Sequence, residues 1–116
     1  MRISLPWPPS VNRYWRSVGG RVLISRDGRE YRQRVAGQVL EAGRPPRYAG
    51  ELAVDILAWP PDRRRRDLDN VLKALLDAME HAGVYEDDSQ IGVILIRRGE
   101  VVAGGRVDVE VVPCQR

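Results

Sequence analysis

Residues 51–82 read ELAVDILAWPPDRRRRDLDNVLKALLDAMEHA and hold three successive local patterns. Every second side chain from Leu52 to Ala58 is apolar, which predicts a β-strand over Glu51–Trp59 that the Pro60-Pro61 pair ends. A charged loop follows. From Leu68 to Met79 apolar residues recur every three or four positions, which predicts an amphipathic helix that Gly83 terminates. This stretch therefore predicts a strand, a basic loop and a helix that packs through one apolar stripe.

The rest of the chain predicts one more long helix and several short strands. Ser25 or Asp27 is a suitable N-cap for a helix that runs to about Ala42. Residues 10–20 are expected to form an irregular loop. We predict further strands at Met1–Leu5, Arg21–Ser25, Ile91–Ile96 and Arg106–Val112. The fold class is thus one α+β domain over residues 1–116, with two main helices packed on a small mixed sheet.

The last two predicted strands differ in pattern. Ile91–Ile96 is an apolar run interrupted only by Gly92, which is typical of a buried strand. Arg106–Val112 alternates valines with acidic residues and is typical of a half-exposed strand. We expect these two strands to pair with each other.

The composition restricts the chemistry that the protein can perform. Among 116 residues there is one His and one Cys, so neither a thiolate zinc site nor a paired-histidine metal site is possible. A Gly-rich phosphate-binding signature is missing, which argues against a nucleotide cofactor. No apolar stretch approaches the roughly 18 residues of a membrane span, so we expect no membrane partner and a cytoplasmic location.

Charge is distributed unevenly along the chain. Residues 1–50 carry ten arginines against three acidic residues, whereas residues 51–116 carry nine basic and thirteen acidic residues. Of the 19 basic residues 18 are arginines, and Lys73 is the only lysine. A basic half beside an acidic half suggests a polyanionic partner and a site that needs negative charge.

Two groups of carboxylates are candidates for that site. Asp67 and Asp69 follow the arginine run 63–66, and in an extended segment residues i and i+2 lie on one side, about 6.6 Å apart. If Asp67 is extended and Asp69 begins the helix, both can reach one cation. The second group, Glu86–Gln90, precedes the Ile91 strand and is a candidate neighbour of the arginine loop. For either group alone, ion pairs, helix caps or a solvated loop are the commoner explanation.

These residue types favour a hard metal ion over zinc. Mg²⁺ is commonly held by one or two carboxylates, waters and phosphate oxygens, which fits metal-assisted phosphodiester hydrolysis. Lys73 lies one helical turn after Asp69. It could simply pair with Asp69 or Asp77, or it could place a positive charge at the phosphate or leaving group.

Three stretches in this order resemble the RusA family of Holliday-junction resolvases. They are LPWPPSVNRY at residues 5–14, PDRRRRDLDN at residues 61–70 and DDSQ at residues 87–90, and the resemblance covers nearly the whole chain. It implies a small homodimeric endonuclease that uses Mg²⁺, with Mn²⁺ as a possible substitute, to make paired symmetric nicks in four-way DNA junctions. A junction has two equivalent strands to cut, which suits two chains related by a two-fold axis.

The resemblance also implies roles for individual residues. The catalytic and metal-binding carboxylates would be Asp67, Asp69 and Asp88, and Lys73 would be the essential amine. Arg66 and Asn70 would support the site or the DNA. Further DNA contacts are expected from Arg63, Arg64, Arg65, Asn12, Arg13 and Arg16.

Two other functions remain open on sequence alone. A DNA-structure-binding protein that does not cleave would use the arginines, but it would gain nothing from carboxylates clustered beside them. A Mg²⁺-dependent nuclease for other branched, flap or RNA substrates would share the site and differ only in its substrate.

Overall fold

The computed structural model describes residues 1–114, and its core is built on the strand predicted at residues 51–59. This strand, β4 (Leu52–Trp59), buries every second side chain from Leu52 to Ala58, as the alternation predicted. The helix predicted after it is α3 (Asp69–His81), and its apolar stripe is buried. The remaining elements are β1 (Arg2–Pro6), α1 (Val11–Tyr14), β2 (Trp15–Val18), β3 (Arg21–Ile24), α2 (Arg26–Glu41), β5 (Ile91–Arg98) and β6 (Arg106–Pro113).

The main sheet has four strands in the order β1-β6-β4-β5. β6 runs antiparallel to both β1 and β4, whereas β4 and β5 are parallel and pair Val54 with Ile94. A parallel pair needs a crossover connection, and α3 provides it. Because α3 joins the end of β4 to the start of β5, it must return along the length of the sheet. The fold class predicted from the sequence, a mixed α+β arrangement, is confirmed.

One face of the sheet carries the core. Side chains of α2 and α3 join β4 and β6 in a single cluster of buried apolar residues, which includes Val35, Ile56, Leu75, Met79 and Val109. α2 begins where predicted, because the Ser25 hydroxyl accepts a hydrogen bond from the Gly28 amide at 2.9 Å. No helix within residues 1–114 is long and apolar enough to cross a membrane.

The other face of the sheet mixes apolar side chains such as Leu57 and Trp59 with polar ones, among them the carboxylate of Asp108. This group accepts hydrogen bonds from Ser4 Oγ at 2.7 Å and Trp59 Nε1 at 2.8 Å, and it pairs with Arg106. Partial burial tends to raise the pKa of Asp108, but these hydrogen bonds and the Arg106 charge outweigh it and lower the pKa. The carboxylate is therefore a stabilising partner on this face.

The prediction of an irregular loop at residues 10–20 is wrong. The segment contains the short helix α1, and β2 pairs with β3 in a two-stranded hairpin. Gly19 and Gly20 connect the two strands with φ angles of +56° and +77°. Two consecutive positive φ values fit a two-residue hairpin turn, and only glycine adopts them freely.

The predicted burial and pairing of Ile91–Ile96 are also wrong. β5 is an edge strand whose residues from Gly92 to Leu95 are exposed, and its neighbour is β4. β6 lies between β4 and β1, so it does not pair with β5. The α3 crossover places β5 beside β4, while the long-range pairing of β6 with β1 has no local signal in the sequence.

Candidate active site

Asp62 and Arg66 fix the shape of the arginine loop. Arg66 donates to both Asp62 oxygens, with Nη1 at 2.6 Å and Nη2 at 3.1 Å, and Asp62 Oδ1 also accepts from the Arg64 amide. The Arg66 guanidinium, followed by the Arg64 amide, lowers the pKa of Asp62 to about 2. Arg66 also lies over the Trp7 ring, 5.9 Å from its centroid. Arg66, itself a residue of the loop, thus stabilises the loop conformation through Asp62.

The other arginines of the loop point to solvent. Arg63, Arg64 and Arg65 are exposed, and Arg64 approaches Asp62 only loosely, at 3.9 Å. Within residues 1–114, the guanidinium groups of Arg63 and Arg65 form no ion pair or hydrogen bond. They are therefore available to bind an external anion such as a phosphate.

Asp67 and Asp69 stand at the start of α3. Asp67 lies outside regular structure and Asp69 is the first helical residue, as the two-carboxylate hypothesis requires. Both are exposed, and in the described part of the chain their carboxylates have no hydrogen-bond donor or cationic partner. They are neither ion pairs nor helix caps, which were the commoner explanations.

Lys73 is exposed one turn further along α3. It forms no ion pair with any residue that the structure describes, and the pairing with Asp77 does not occur because Asp77 is bound by Arg32 at 2.8 Å. The amine is thus free on the same end of the helix as Asp69.

Asn70 connects this end of α3 to the basic N-terminal segment. Its Oδ1 accepts a hydrogen bond from the Val11 amide at 3.2 Å, which ties α1 to α3. Asn12 and Arg16 are exposed, whereas Arg13 pairs with Asp27 at 3.0 Å. A cleft of about 550 Å³ lies between the two segments, and Arg13, Arg66, Asp67 and Asn70 are among the residues that line it.

Asp88 is at the opposite end of α3. Its amide donates to Glu80 Oε1 at 2.7 Å, and Glu80 lies eleven residues after Asp69, which is about 16 Å along a helix. Carboxylate oxygens of Glu80, Asp87 and Asp88 lie within 4.8 Å of one another. The structure therefore brings Asp67, Asp69 and Lys73 to one end of the helix, and it does not bring Asp88 to them within one chain.

The neighbouring Asp87 has a structural role. It caps the short 3-10 turn Asp88–Gln90, because its Oδ1 accepts from the Ser89 amide at 2.8 Å. This hydrogen bond also lowers the pKa of Asp87. Gln90 fixes the turn further by donating to the carbonyls of Tyr48 and Gly50, both at 2.9 Å. The DDSQ stretch is thus a capped and anchored turn that presents Asp88.

Two features of this region escaped the sequence analysis. Glu80 was not considered, although the helix stop at Gly83 folds residues 86–90 back onto the last turn of α3. A half-buried group of Tyr14, Arg32 and Asp77 also joins α1, α2 and α3. No sequence signal marks that group, because its members are 18 and 45 residues apart.

Comparison with known proteins decides the family. The model of the family described as endodeoxyribonuclease RusA matches residues 6–112 of this chain. The chain belongs to the RusA family. Among curated relatives, the crossover junction endodeoxyribonuclease of Enterobacteria phage HK97 is 43% identical over 107 residues, which cover 92% of this chain and 89% of the relative.

Further RusA relatives of phage and bacterial origin agree with this assignment. The crossover junction endodeoxyribonuclease of Enterobacteria phage 82 is 42% identical over 113 residues, with 94% of this chain and 91% of the relative covered. That of Escherichia coli K12 is 41% identical over 109 residues, with the same coverage. The family resemblance inferred from three short stretches is therefore confirmed along nearly the whole chain.

The donor atoms of this RusA chain suit a hard divalent cation. Carboxylates lie at both ends of α3, and the two at its start are not neutralised by any residue in the range 1–114. Oxygen ligands of this kind fit Mg²⁺ or Mn²⁺, and the single His81 and Cys114 offer no soft alternative.

Proposed function

We propose that this RusA-family protein is a Mg²⁺-dependent endonuclease that resolves four-way DNA junctions by paired symmetric nicks. It would act as a single-domain chain in a cytoplasmic homodimer, in recombination and DNA repair. The observation that carries the proposal is the pair of free carboxylates, Asp67 and Asp69, with the free amine of Lys73 one turn away and unpaired arginines beside them. The curated relatives, which are crossover junction endodeoxyribonucleases, support the junction as substrate.

Asp67 and Asp69 would hold the Mg²⁺, for which Mn²⁺ is a possible substitute; Asp88, which lies at the opposite end of α3 in the same chain, would join them only from the second chain of the homodimer. When bound, such a cation lowers the pKa of a coordinated water and offsets negative charge on the scissile phosphate. The carboxylates at the start of α3 suit this role because no protein cation competes for them within residues 1–114.

The basic residues would bind and orient the DNA. Lys73 would stabilise charge on the phosphate or the leaving oxygen, because its ammonium is free and on the same end of α3 as Asp69. Arg66 and Asn70 would act indirectly, since their side chains fix the arginine loop and α1. Contacts to DNA phosphates would come from Arg63, Arg64, Arg65, Asn12, Arg13 and Arg16.

A cleavage assay tests the proposal. Purified protein is incubated with a synthetic four-way junction, with and without Mg²⁺, and the products are resolved on native and denaturing gels. We expect symmetric nicks that depend on the metal. Asp69→Asn should bind the junction and leave it uncut, while the matched control Glu41→Gln, an exposed acid on α2, should cut normally.

Each alternative gives a different result in the same assay. Tight binding without metal-dependent turnover would identify a non-cleaving junction-binding protein. Equal cutting of linear duplex, a flap and a junction would retain the nuclease chemistry but refute the junction as its specific substrate.

A further inference from the structure

The carbonyl of Arg66 is held by a side chain from outside the arginine loop. Arg98, the last residue of β5, donates to this carbonyl from Nη2 at 2.7 Å. Because the peptide bond is planar, the carbonyl oxygen of Arg66 lies in one plane with the amide nitrogen and the Cα atom of Asp67. A hydrogen bond that fixes this oxygen therefore also restricts the orientation of the peptide that leads into Asp67.

Asp67 lies between two peptide groups that are held in different ways. The peptide after it is fixed by the start of α3, since the Asp67 carbonyl accepts from the Asn70 amide at 3.2 Å. The peptide before it lies outside any helix or strand, and its carbonyl accepts from Arg98. The direction in which the Asp67 carboxylate projects thus depends on the helix on one side and on Arg98 on the other.

The guanidinium of Arg98 is committed to this one contact. Arg98 is exposed, and within residues 1–114 it pairs with no carboxylate and donates only to the Arg66 carbonyl. The neighbouring Arg97, by contrast, pairs with Asp55 at 3.4 Å. A hydrogen bond with a charged donor is roughly twice as strong as one between neutral groups, so it can hold an exposed peptide in place.

The backbone from which Arg98 extends is anchored by the segment that follows β5, residues 99–105. The Gly99 amide donates to the Ala58 carbonyl at 2.7 Å, and the Val102 amide donates to the Pro60 carbonyl at 2.9 Å. These hydrogen bonds join the end of β5 to the end of β4. The donor of the hydrogen bond therefore has a fixed base.

Two glycines let the same segment lie against the start of the arginine loop. A Cβ atom at Gly99 would lie 2.7 Å from the ring of Trp59. One at Gly105 would lie 3.0 Å from Pro61 Cδ, and Gly105 also has a φ angle of +70°. The start of the arginine loop thus packs against this segment, while Arg98 holds its end.

We propose that Arg98 is a positioning residue for the proposed metal site, because its hydrogen bond to the Arg66 carbonyl sets the direction of the Asp67 carboxylate. Such groups must be held within about 0.5 Å of the productive geometry. Asp67 needs this support because it lies outside regular structure, whereas Asp69 is the first residue of α3. The inference rests on the proposed function, since it concerns a ligand of the proposed Mg²⁺ site.

Binding of Mn²⁺ in the absence of DNA tests this role without turnover. Electron paramagnetic resonance measures free Mn²⁺ as the ion is added to the protein. Arg98→Met removes the donors and keeps the aliphatic stem. We expect its Mn²⁺ affinity to be about 10-fold lower, since residues that orient metal ligands contribute about 10- to 100-fold. Removal of a positive charge beside a cation site would by itself raise the affinity, so a loss reports the missing hydrogen bond.

Two further variants serve as controls in the same titration. Arg98→Lys keeps a positively charged donor and should recover most of the lost affinity. Arg97→Met removes the same charge from the preceding residue of β5, whose contact is with Asp55, and should bind Mn²⁺ like the wild type. No loss of affinity in Arg98→Met, or an equal loss in Arg97→Met, would overturn the proposal.

Junction binding without metal separates this role from a DNA contact. Fluorescence anisotropy of a labelled four-way junction is measured in EDTA at several salt concentrations. For a positioning residue, Arg98→Met should bind the junction with wild-type affinity and the same dependence on salt. If Arg98 instead neutralises one phosphate, the slope of log affinity against log salt falls by about 0.9. That result together with unchanged Mn²⁺ affinity would overturn the proposal.

The dependence of junction cutting on Mn²⁺ concentration gives a third measurement. We expect Arg98→Met to cut slowly at low Mn²⁺ and to approach the wild-type rate at high Mn²⁺, because excess metal compensates for weaker binding. Wild-type protein that leaves junctions uncut, but whose Mn²⁺ binding depends on Arg98 as expected, would refute the proposed function and retain the positioning role.

Discussion

Replacement of Asp77 by alanine should cause a large loss of stability, because this side chain joins three helices. One Asp77 oxygen accepts hydrogen bonds from the Tyr14 hydroxyl and from Arg32 Nε at 2.9 Å, and Arg32 Nη2 lies 2.8 Å away. Arg32 also donates to the Tyr14 hydroxyl at 3.1 Å. Burial, followed by the hydrogen bond to Asp77, raises the pKa of Tyr14 well above its ordinary value, so the hydroxyl keeps its proton.

The expected loss of stability follows from how far the Arg32–Asp77 ion pair is buried. The Arg32 and Asp77 side chains are only 23% and 21% exposed. Breaking a fully buried ion pair costs about 3–5 kcal/mol, since the remaining charge is left without a partner. Solvent screening of a group about one-fifth exposed reduces this to about 2–3 kcal/mol. For a domain of this size that corresponds to a fall of about 10 °C in Tm.

Urea unfolding of Asp77→Ala at fixed protein concentration measures this loss. Asp77→Asn keeps an acceptor oxygen and should lose about half as much. Asp27→Ala is the matched control, because its pair with Arg13 has side chains that are 74% and 43% exposed, and surface pairs contribute at most about 1 kcal/mol. A loss below about 1 kcal/mol for Asp77→Ala, or an equal loss for Asp27→Ala, would refute the reasoning from burial.

Three further changes have calculable effects. Gly28→Ala should lower the free energy of unfolding, measured in urea, by about 1–2 kcal/mol despite its better helix propensity, because the new Cβ would lie 2.5 Å from the carbonyl oxygen of Tyr14. Gly37→Ala is the control: its Cβ would meet open space on the same helix, and it should raise the free energy of unfolding by up to about 1 kcal/mol. The lowered pKa of Asp108 contributes stability that is present above about pH 4 and is lost as the pH falls through the pKa of the folded state. Asp108→Asn should therefore make the free energy of unfolding depend less on pH in the acid range. An unchanged pH dependence would contradict this. Arg65→Gln should reduce the slope of log junction affinity against log salt by about 0.9 if the residue neutralises one phosphate, whereas an unchanged slope excludes that contact.

Local sequence patterns predicted the strand and the helix that position the candidate site. They did not predict contacts between residues that are far apart in the sequence. The alternation of β4 and the stripe of α3 depend on nearest neighbours in the chain, so both elements were predicted within one or two residues. The predicted burial of β5 was wrong because an apolar run does not encode whether a distant part of the chain covers the strand, and β5 lies exposed at the edge of the sheet. The place of β6 between β4 and β1 depends on pairings such as Arg2 with Glu110, which no local pattern encodes.

The position of Asp88 shows the same limit at the candidate site. It lies nineteen residues after Asp69, and the sequence made the two carboxylates look like neighbours. A strand-helix-strand unit with parallel strands, however, must separate the residues before and after its helix by the helix length, because the chain returns to the start of the sheet. The distance between the two carboxylates is therefore a property of the topology. It could have been predicted once β4 and β5 were known to be parallel.

The same topology gives the uneven charge of the chain a spatial meaning. The arginine-rich first fifty residues would repel the arginine loop if both were held close without compensation. The structure supplies that compensation: Asp27 pairs with Arg13, Asp62 holds Arg66, and the Val11–Asn70 hydrogen bond brings both segments to the end of α3 where Asp67 lies. Some arginines are thereby neutralised and fixed, while Arg63 and Arg65 keep their charge for an external anion. The chain, whose net charge is only +3, therefore has unpaired arginines and two free carboxylates at one end, which is the combination that the proposed metal-assisted cleavage of a polyanion would need.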